Sequence, residues 1–113
     1  MAFVLKQSNS YFWPVEVQIP IDGGKFEKST FDAEFKRLSQ DRIEEIRADV
    51  IAGSTTDRVV ANEVLIGWKG INDGSDDVPY SVTARDELLN MPKVAESIIM
   101  AWMESLSGAK RKN

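Results

Sequence analysis

The first third of the chain alternates apolar and polar residues with a period of two. The apolar positions of this segment share one face of a predicted, half-buried strand: Val15, Val17, Ile19 and Ile21. Asp22-Gly23-Gly24 then supplies residues that tolerate positive φ, and residues 25–31 follow as a return strand. Pro20 cannot donate a ladder hydrogen bond, which puts the first strand at a sheet edge near that residue. The pattern predicts a β-hairpin.

An aromatic cluster precedes this hairpin. Ser8, Asn9 and Ser10 separate an apolar segment, residues 3–5, from Tyr11-Phe12-Trp13-Pro14. Two interpretations stay open for this N-terminal arm: it forms a third strand, or it is loose. The aromatic cluster itself either fills the core or serves as a docking arm.

After residue 38 the apolar spacing changes toward 3.6, the period of a helix. Ser39 is placed to cap a helix from Gln40 to Ala52, and Gly53 is a natural left-handed stop. Its apolar stripe is predicted from four residues: Ile43, Ile46, Val50 and Ile51.

A second predicted helix starts at Thr55 or Thr56 and ends in a glycine-containing segment. Its apolar positions are Val59, Val60, Val64, Leu65 and Trp68. Gly67 and Gly70 weaken its end, and an acidic turn follows. Ser81 or Thr83 then begins a short helix that carries Leu88 and Leu89, and Pro92 is expected as the first residue of a last helix over 92–106.

These elements predict an α+β fold: an N-terminal β-hairpin, with or without a third strand, followed by about four helices. We expect one domain over residues 1–107, with a β-rich part at 1–38 and a helical part at 39–107. Residues 108–113 are predicted to form a polar, basic tail.

The last helix is apolar on more than one side. One predicted face holds Val94, Ile98, Ala101 and Trp102, and a second holds Ile99, Met103 and Leu106, with Met100 between them. A surface helix normally shows a single apolar stripe, so something must cover the second face. Either the hairpin wraps it or a partner protein binds it. We predict protein contacts at four residues: Ile99, Met100, Met103 and Leu106.

Composition narrows the function classes. The 113 residues include no histidine and no cysteine, so the usual neutral-pH proton shuttle, the thiol nucleophile and the commonest soft metal ligands are missing. No spacing predicts two converging acid and base groups, and neither glycine-containing turn matches a phosphate-binding or dinucleotide motif. The acidic turn, residues 72–77, contains clustered carboxylates of the kind that bind calcium. It does not match the twelve-residue calcium-binding loop, because no glutamate stands at the last ligand position. We therefore expect a binding protein, with no catalytic residue, cofactor, metal or small-molecule substrate.

Charge and hydropathy bear on partners and location. The formal net charge of −4 argues against nucleic acid, because phosphate binding depends on clustered Lys and Arg. The basic cluster Lys110-Arg111-Lys112 is typical of a solvated tail. No apolar run approaches the roughly 20 residues that cross a bilayer, and the first residues lack the features of a leader peptide. The sequence predicts no membrane association and a cytoplasmic location.

The order of motifs in the second half carries a resemblance to a known family. Four motifs follow one another over residues 62–106: Trp68-Lys69-Gly70-Ile71, the Asp-rich turn, Pro79-Tyr80-Ser81 and the Leu88-Leu89 helix. A weaker similarity covers residues 15–38. In this order the four motifs resemble the tail assembly chaperones of long-tailed phages, in their shorter form. The resemblance implies a protein of the host cell cytoplasm that coats the tape measure protein, keeps it soluble, recruits tail tube subunits, self-associates weakly and is absent from the virion.

Many such chaperones are also made in a longer, frameshifted form. Here Arg111-Lys112-Asn113 is compatible with the codons AGA-AAA-AAC, which contain a slippery heptamer. The nucleotide sequence tests this expectation directly.

Two other classes of function stay open at this point. One is a permanent tail component, a tube or tail completion subunit that uses the hairpin for strand addition. The other is a small protein that sequesters a host factor through an acidic surface.

Overall fold

The computed structural model describes residues 1–108 and contains three strands and four helices in that range. The elements in chain order are β1 (Ser10–Ile21), β2 (Lys25–Lys36), α1 (Gln40–Ala52), α2 (Asp57–Val64), β3 (Leu65–Lys69), α3 (Val82–Leu89) and α4 (Val94–Ser107). The strands form an antiparallel sheet in the order β1-β2-β3, and one core joins the sheet to the helices. The predicted α+β fold class is confirmed. The predicted tail lies, apart from Gly108, outside the described residues.

The predicted hairpin is confirmed and is longer than its pattern indicated. β1 and β2 pair along their whole length, from Ser10 opposite Lys36 to Ile21 opposite Lys25. The turn uses Gly23 and Gly24 at φ values of 82° and 73°, a region that glycine enters without steric cost. The N-terminal aromatics belong to β1 itself and do not form a separate strand.

Helix α1 has the predicted bounds. The Ser39 side chain accepts a hydrogen bond from the backbone N–H of Arg42 at 3.2 Å, and Gly53 ends the helix at φ 71°. The predicted apolar stripe is only half correct, because Ile43 and Ile46 are buried whereas Val50 and Ile51 are exposed. The physical reason is that α1 meets the core through its first two turns only.

An ion pair ties α1 to α2. The Arg42 guanidinium donates from Nε and Nη2 to the two carboxylate oxygens of Glu63, at 2.8 and 2.6 Å. These hydrogen bonds from Arg42 lower the pKa of Glu63 below its usual value of 4.5. The two-point geometry fixes orientation as well as distance.

Replacing Glu63 with glutamine should make the fold less sensitive to acid. A carboxyl whose folded pKa is lowered contributes stability above its unfolded pKa, and that contribution is lost as the pH falls through the folded value. We therefore expect the difference in melting temperature between the wild type and Glu63→Gln to be largest near pH 7. It should shrink as the pH drops below about 4.5.

Thermal unfolding followed by circular dichroism between pH 3 and pH 7 measures this difference. Glu87→Gln is the matched control, since Glu87 is an exposed helical glutamate outside the ion pairs of the described residues. A difference that stays constant across this range would contradict the assignment.

The second predicted helix was too long. Helix α2 begins at its Thr56 cap but ends at Val64, and Leu65–Lys69 continue directly as strand β3. Leu65 and Trp68, which were predicted on an apolar helix stripe, face the core from the sheet instead. Val59, predicted on the same stripe, is exposed.

A β-bulge explains how residues three apart share one face of a strand. Leu65 pairs with Phe35, Gly67 with Glu34 and Trp68 with Ala33, so Ile66 is the extra residue. Without the bulge, Leu65 and Trp68 would point to opposite faces, because side chains alternate along a strand. Because of the bulge, Leu65 and Trp68 lie on the same face of β3 although they are three residues apart.

Gly67 leaves room for the Glu34 side chain where β3 pairs with β2. A Cβ at position 67 would collide with the Glu34 carboxylate, which lies over the β3 backbone and accepts a hydrogen bond from the Ser10 hydroxyl at 2.5 Å. Lys69 reaches back across the same sheet face, with Nζ 4.1 Å from the centroid of the Phe12 ring. These contacts pin β3 to the hairpin.

Trp68, Tyr80 and Ser81 hold the segment between β3 and α3 in place. Trp68 Nε1 donates to the carbonyl of Val78 at 2.8 Å, and the Tyr80 hydroxyl donates to the carbonyl of Leu65 at 3.2 Å. The Trp68 and Tyr80 rings meet edge to face, with centroids 5.0 Å apart. Ser81 then caps α3 by accepting from Ala84 N–H at 3.0 Å, which selects one of the two predicted starts.

Helix α4 starts later than predicted. Pro92 lies in the preceding turn, and Lys93 adopts φ 68°, so the helix begins at Val94. A residue in the left-handed region cannot continue a right-handed helix, so Lys93 marks the boundary before α4. This turn directs α4 back across the sheet.

Candidate protein-binding surface

Helix α4 presents its main apolar face to the core, as predicted. Val94, Ile98, Ala101 and Trp102 are all buried there. The helix packs against β1 on one side and α2 on the other. This packing sets which of the remaining apolar residues stay accessible.

The four predicted contact residues do not form one surface. Ile99 is only 5% exposed and belongs to the core. Leu106 is half-buried and also packs against the core. Met100 and Met103 are 59% and 36% exposed. The predicted second apolar face is therefore wrong for Ile99. Of the four predicted contact residues, Met103 from that face and Met100 beside it are exposed.

The two methionines lie on a solvent-facing stripe of α4. With helical spacing, this stripe runs through Glu96, Met100, Met103 and Ser107. We call these four residues the α4 stripe. Their separations of four, three and four positions are those of a seam along which two helices pack.

A shallow groove of about 250 Å³ borders the stripe on the β1 side. Met100, Ser97 and Glu104 form its helical wall, and Glu16 and Gln18 form its strand wall. β1 is an edge strand, so no third strand covers this side within the described part of the chain. Three carboxylates, at Glu16, Glu96 and Glu104, and one cation, Lys93, line this groove, and Glu16 also pairs with Lys28 at 3.6 Å.

A second groove, of about 580 Å³, lies at the other end of α4. Aromatic and aliphatic side chains from three elements line it: Tyr11, Trp13, Trp102, Leu106 and Ile43. Tyr11 is held rigidly, since its hydroxyl donates to Ser105 Oγ at 2.6 Å while Ser105 Oγ donates to the Trp102 carbonyl at 2.6 Å. The Arg37 guanidinium lies 4.9 Å above the Tyr11 ring.

The contribution of β1 to this groove was left open by the sequence. Alternation along the strand turns Tyr11 and Trp13 toward the helices and Phe12 toward the opposite sheet face. The aromatic cluster therefore serves partly as core and partly as groove wall. The period-two pattern of the strand would have shown this division had it been extended back to Ser10.

The acidic turn is satisfied by its own backbone. Asp73 Oδ1 accepts hydrogen bonds from the N–H groups of Ser75 and Asp76 at 3.1 and 2.9 Å, and these bonds lower the pKa of Asp73. Asn72 Oδ1 accepts from Gly74 N–H at 3.0 Å. Over residues 1–108 no group of three or more Asp or Glu side chains is placed to hold a metal ion.

Comparison with protein-family models, with curated proteins and with solved structures gave no match. Within residues 1–108, no helix has the length and apolar character to cross a membrane.

Proposed function

We propose that this chain is a tail assembly chaperone of a long-tailed phage. In this function it binds the tape measure protein in the host cell cytoplasm, keeps it soluble, brings tail tube subunits to it and leaves before the virion is complete. It acts by binding alone, without a catalytic step, a cofactor, nucleic acid or a membrane. The observation that carries the proposal is the exposed Met100 and Met103 pair on α4.

The α4 stripe suits a long helical client. Its separations match those of a helix-packing seam, and unbranched methionine side chains adapt to varied apolar partners. Only two large apolar side chains lie on it, so the contact per chaperone is modest. A coat that tube subunits must later displace requires contacts of this moderate kind.

The charges around the stripe specify the client further. Glu96 and Glu104 lie one helical turn to either side of Met100. A client helix with an apolar seam flanked by Lys or Arg would complement this surface, whereas a seam flanked by acidic residues would be repelled. Binding should accordingly weaken as salt concentration rises.

The motif residues behind the resemblance have a structural role that fits this proposal. Trp68, Tyr80 and Ser81 fasten the segment that leads from β3 into α3. They hold the start of α3 beside the sheet, and α3 in turn contacts α4, which carries the proposed binding stripe.

Co-expression with the tape measure protein of the same phage tests the proposal. We expect that protein to be insoluble alone, to become soluble with this chain, and to co-purify with it. Purified virions should lack the chain when examined by mass spectrometry. A tape measure protein that stays insoluble at equal expression would overturn the proposal.

Within residues 1–108 no strand pairs with the outer edge of β1, and this favours a second candidate, a structural tail subunit that assembles by strand addition. The same mass spectrometry separates the two functions, since a tube or completion subunit would be present in finished particles.

A further inference from the structure

Strand β2 is longer than the strand that pairs with its outer edge. β3 covers β2 from Asp32 to Phe35, and the chain turns away at Gly70, which has a φ of 87°. Over residues 25–30 the described chain supplies no partner for that edge. Such an edge presents backbone N–H and C=O groups to any extended segment that reaches it.

An apolar groove of about 370 Å³ runs beside this open edge. Ser29, Thr30 and Phe31 line it from β2. Most of its other lining side chains are apolar, among them Ile19, Ile71, Leu88 and Met91. An open edge next to an apolar groove is the arrangement that binds a peptide by strand addition. The edge supplies hydrogen bonds, and the groove takes alternate side chains.

The chain itself carries a segment that fits this groove. Phe3, Val4 and Leu5 are 85%, 61% and 91% exposed, and they lie outside any helix or strand. We call these three residues the apolar triplet. Phenylalanine, valine and leucine in succession suit a strand, and three such side chains exposed together mark an interaction segment.

The charges beside the apolar triplet and beside the groove also favour binding of the triplet in the groove. Lys6 follows the apolar triplet directly. Asn72 lines the groove and opens the acidic turn, whose Asp73, Asp76 and Asp77 make no salt bridge within the described residues. A triplet lying in the groove would bring its lysine toward these carboxylates.

The centre of the open edge lies beyond the reach of the triplet in the same chain. Ser10 pairs with Lys36, so this centre lies about 28 Å along β2 from that point. Val4 is six residues before Ser10 and can extend at most about 21 Å from it. A triplet centred on the open edge therefore comes from another molecule.

From these observations we propose that the apolar triplet of one copy adds as a strand to the open β2 edge of a second copy. This inference does not depend on the proposed function, because it concerns a different surface and a different partner.

Cross-linking tests the pairing cleanly, because the chain contains no cysteine. A Val4→Cys variant is mixed with a Met91→Cys variant and treated with a short thiol-specific cross-linker. We expect a covalent dimer that contains one copy of each variant. Ile51→Cys replaces Met91→Cys in the control, since Ile51 is an exposed apolar residue on α1, away from the groove, and this mixture should stay monomeric.

Sedimentation of the cysteine-free protein gives the independent readout. We expect concentration-dependent self-association, weakened at least 10-fold by Phe3→Ser together with Leu5→Ser. At concentrations low enough for both proteins to be monomeric, their melting temperatures should be equal. Either of two results would overturn the proposal: equal cross-linking of Met91→Cys and Ile51→Cys, or self-association that the serine variant leaves unchanged. Cross-linking that occurs only inside single molecules of the Val4→Cys/Met91→Cys double variant would overturn it as well.

Discussion

Replacing both Met100 and Met103 with lysine is expected to leave the chain folded and to abolish solubilisation of a co-expressed tape measure protein. Both side chains face solvent, and substitutions at such positions usually change stability by no more than about 0.5 kcal/mol. Lysine is chosen because position 100 lies four residues from Glu96 and from Glu104, where a positive charge is favourable on a helix. In a complex, the same two charges would be buried against an apolar seam without partners, which costs several kcal/mol.

The readout is the soluble fraction of the tape measure protein, with circular dichroism of the purified variant as the check on folding. The matched control replaces Ile51 and Val59 with lysine, which also exchanges two exposed apolar residues for charges, on α1 and α2. Replacing both methionines with leucine should retain function. If the lysine variant folds and solubilises the client as well as the wild type does, the α4 stripe is not the contact surface.

Trp102→Ala is expected to destabilise the fold by about 3–5 kcal/mol, the usual cost of removing a large buried aromatic side chain. Trp102 is 1% exposed and lies between the sheet and the helices, so its removal leaves a cavity in the centre of the core. A domain of this size has a total stability of about 5–15 kcal/mol, so the variant should be marginally folded or unfolded at 37 °C.

Urea unfolding followed by circular dichroism measures this loss. Trp102→Phe keeps an aromatic ring in the site and should cost clearly less, which separates cavity formation from a general intolerance of substitution. Met103→Ala, on the solvent-facing side of the same helix, should cost the least. A loss below about 1 kcal/mol for Trp102→Ala would mean that the indole is not buried as described.

The hairpin and the caps of α1 could be predicted because their causes are local. Alternation from Val15 to Ile21 and the Gly23-Gly24 turn suffice to specify two paired strands, whatever packs on them. The Ser39 cap and the Gly53 stop are likewise set by side chains within one turn of the helix end. The four-helix count followed from the same kind of signal.

Strand β3 could not be predicted because its cause is distant in sequence. Leu65 and Trp68 are spaced as on a helix, and their common face on a strand depends on the bulge at Ile66. That bulge forms only when β2 lies alongside. Gly67 was the one available signal, and its meaning becomes visible only when Glu34 lies over it.

In the candidate site, too, one part could be predicted from local sequence and another part could not. Local periodicity placed Met100 and Met103 beside each other on the last helix, and they are exposed together. The same helical pattern grouped Ile99 and Leu106 with them, although Ile99 is buried in the core and Leu106 packs partly against it. A helical pattern shows which residues share a side of a helix, but neighbouring elements decide which side remains open.

By itself, then, the sequence determined the hairpin, the helix caps, the apolar content of α4 and the absence of histidine and cysteine chemistry. Only the tertiary structure decided that residues 65–69 leave the helix for the sheet, that Ile99 is core and that the methionines are surface. The physical reason is the distance along the chain over which each kind of interaction acts. Backbone preferences, turns and caps act over a few residues, whereas burial and strand pairing depend on segments that meet only after the chain has folded.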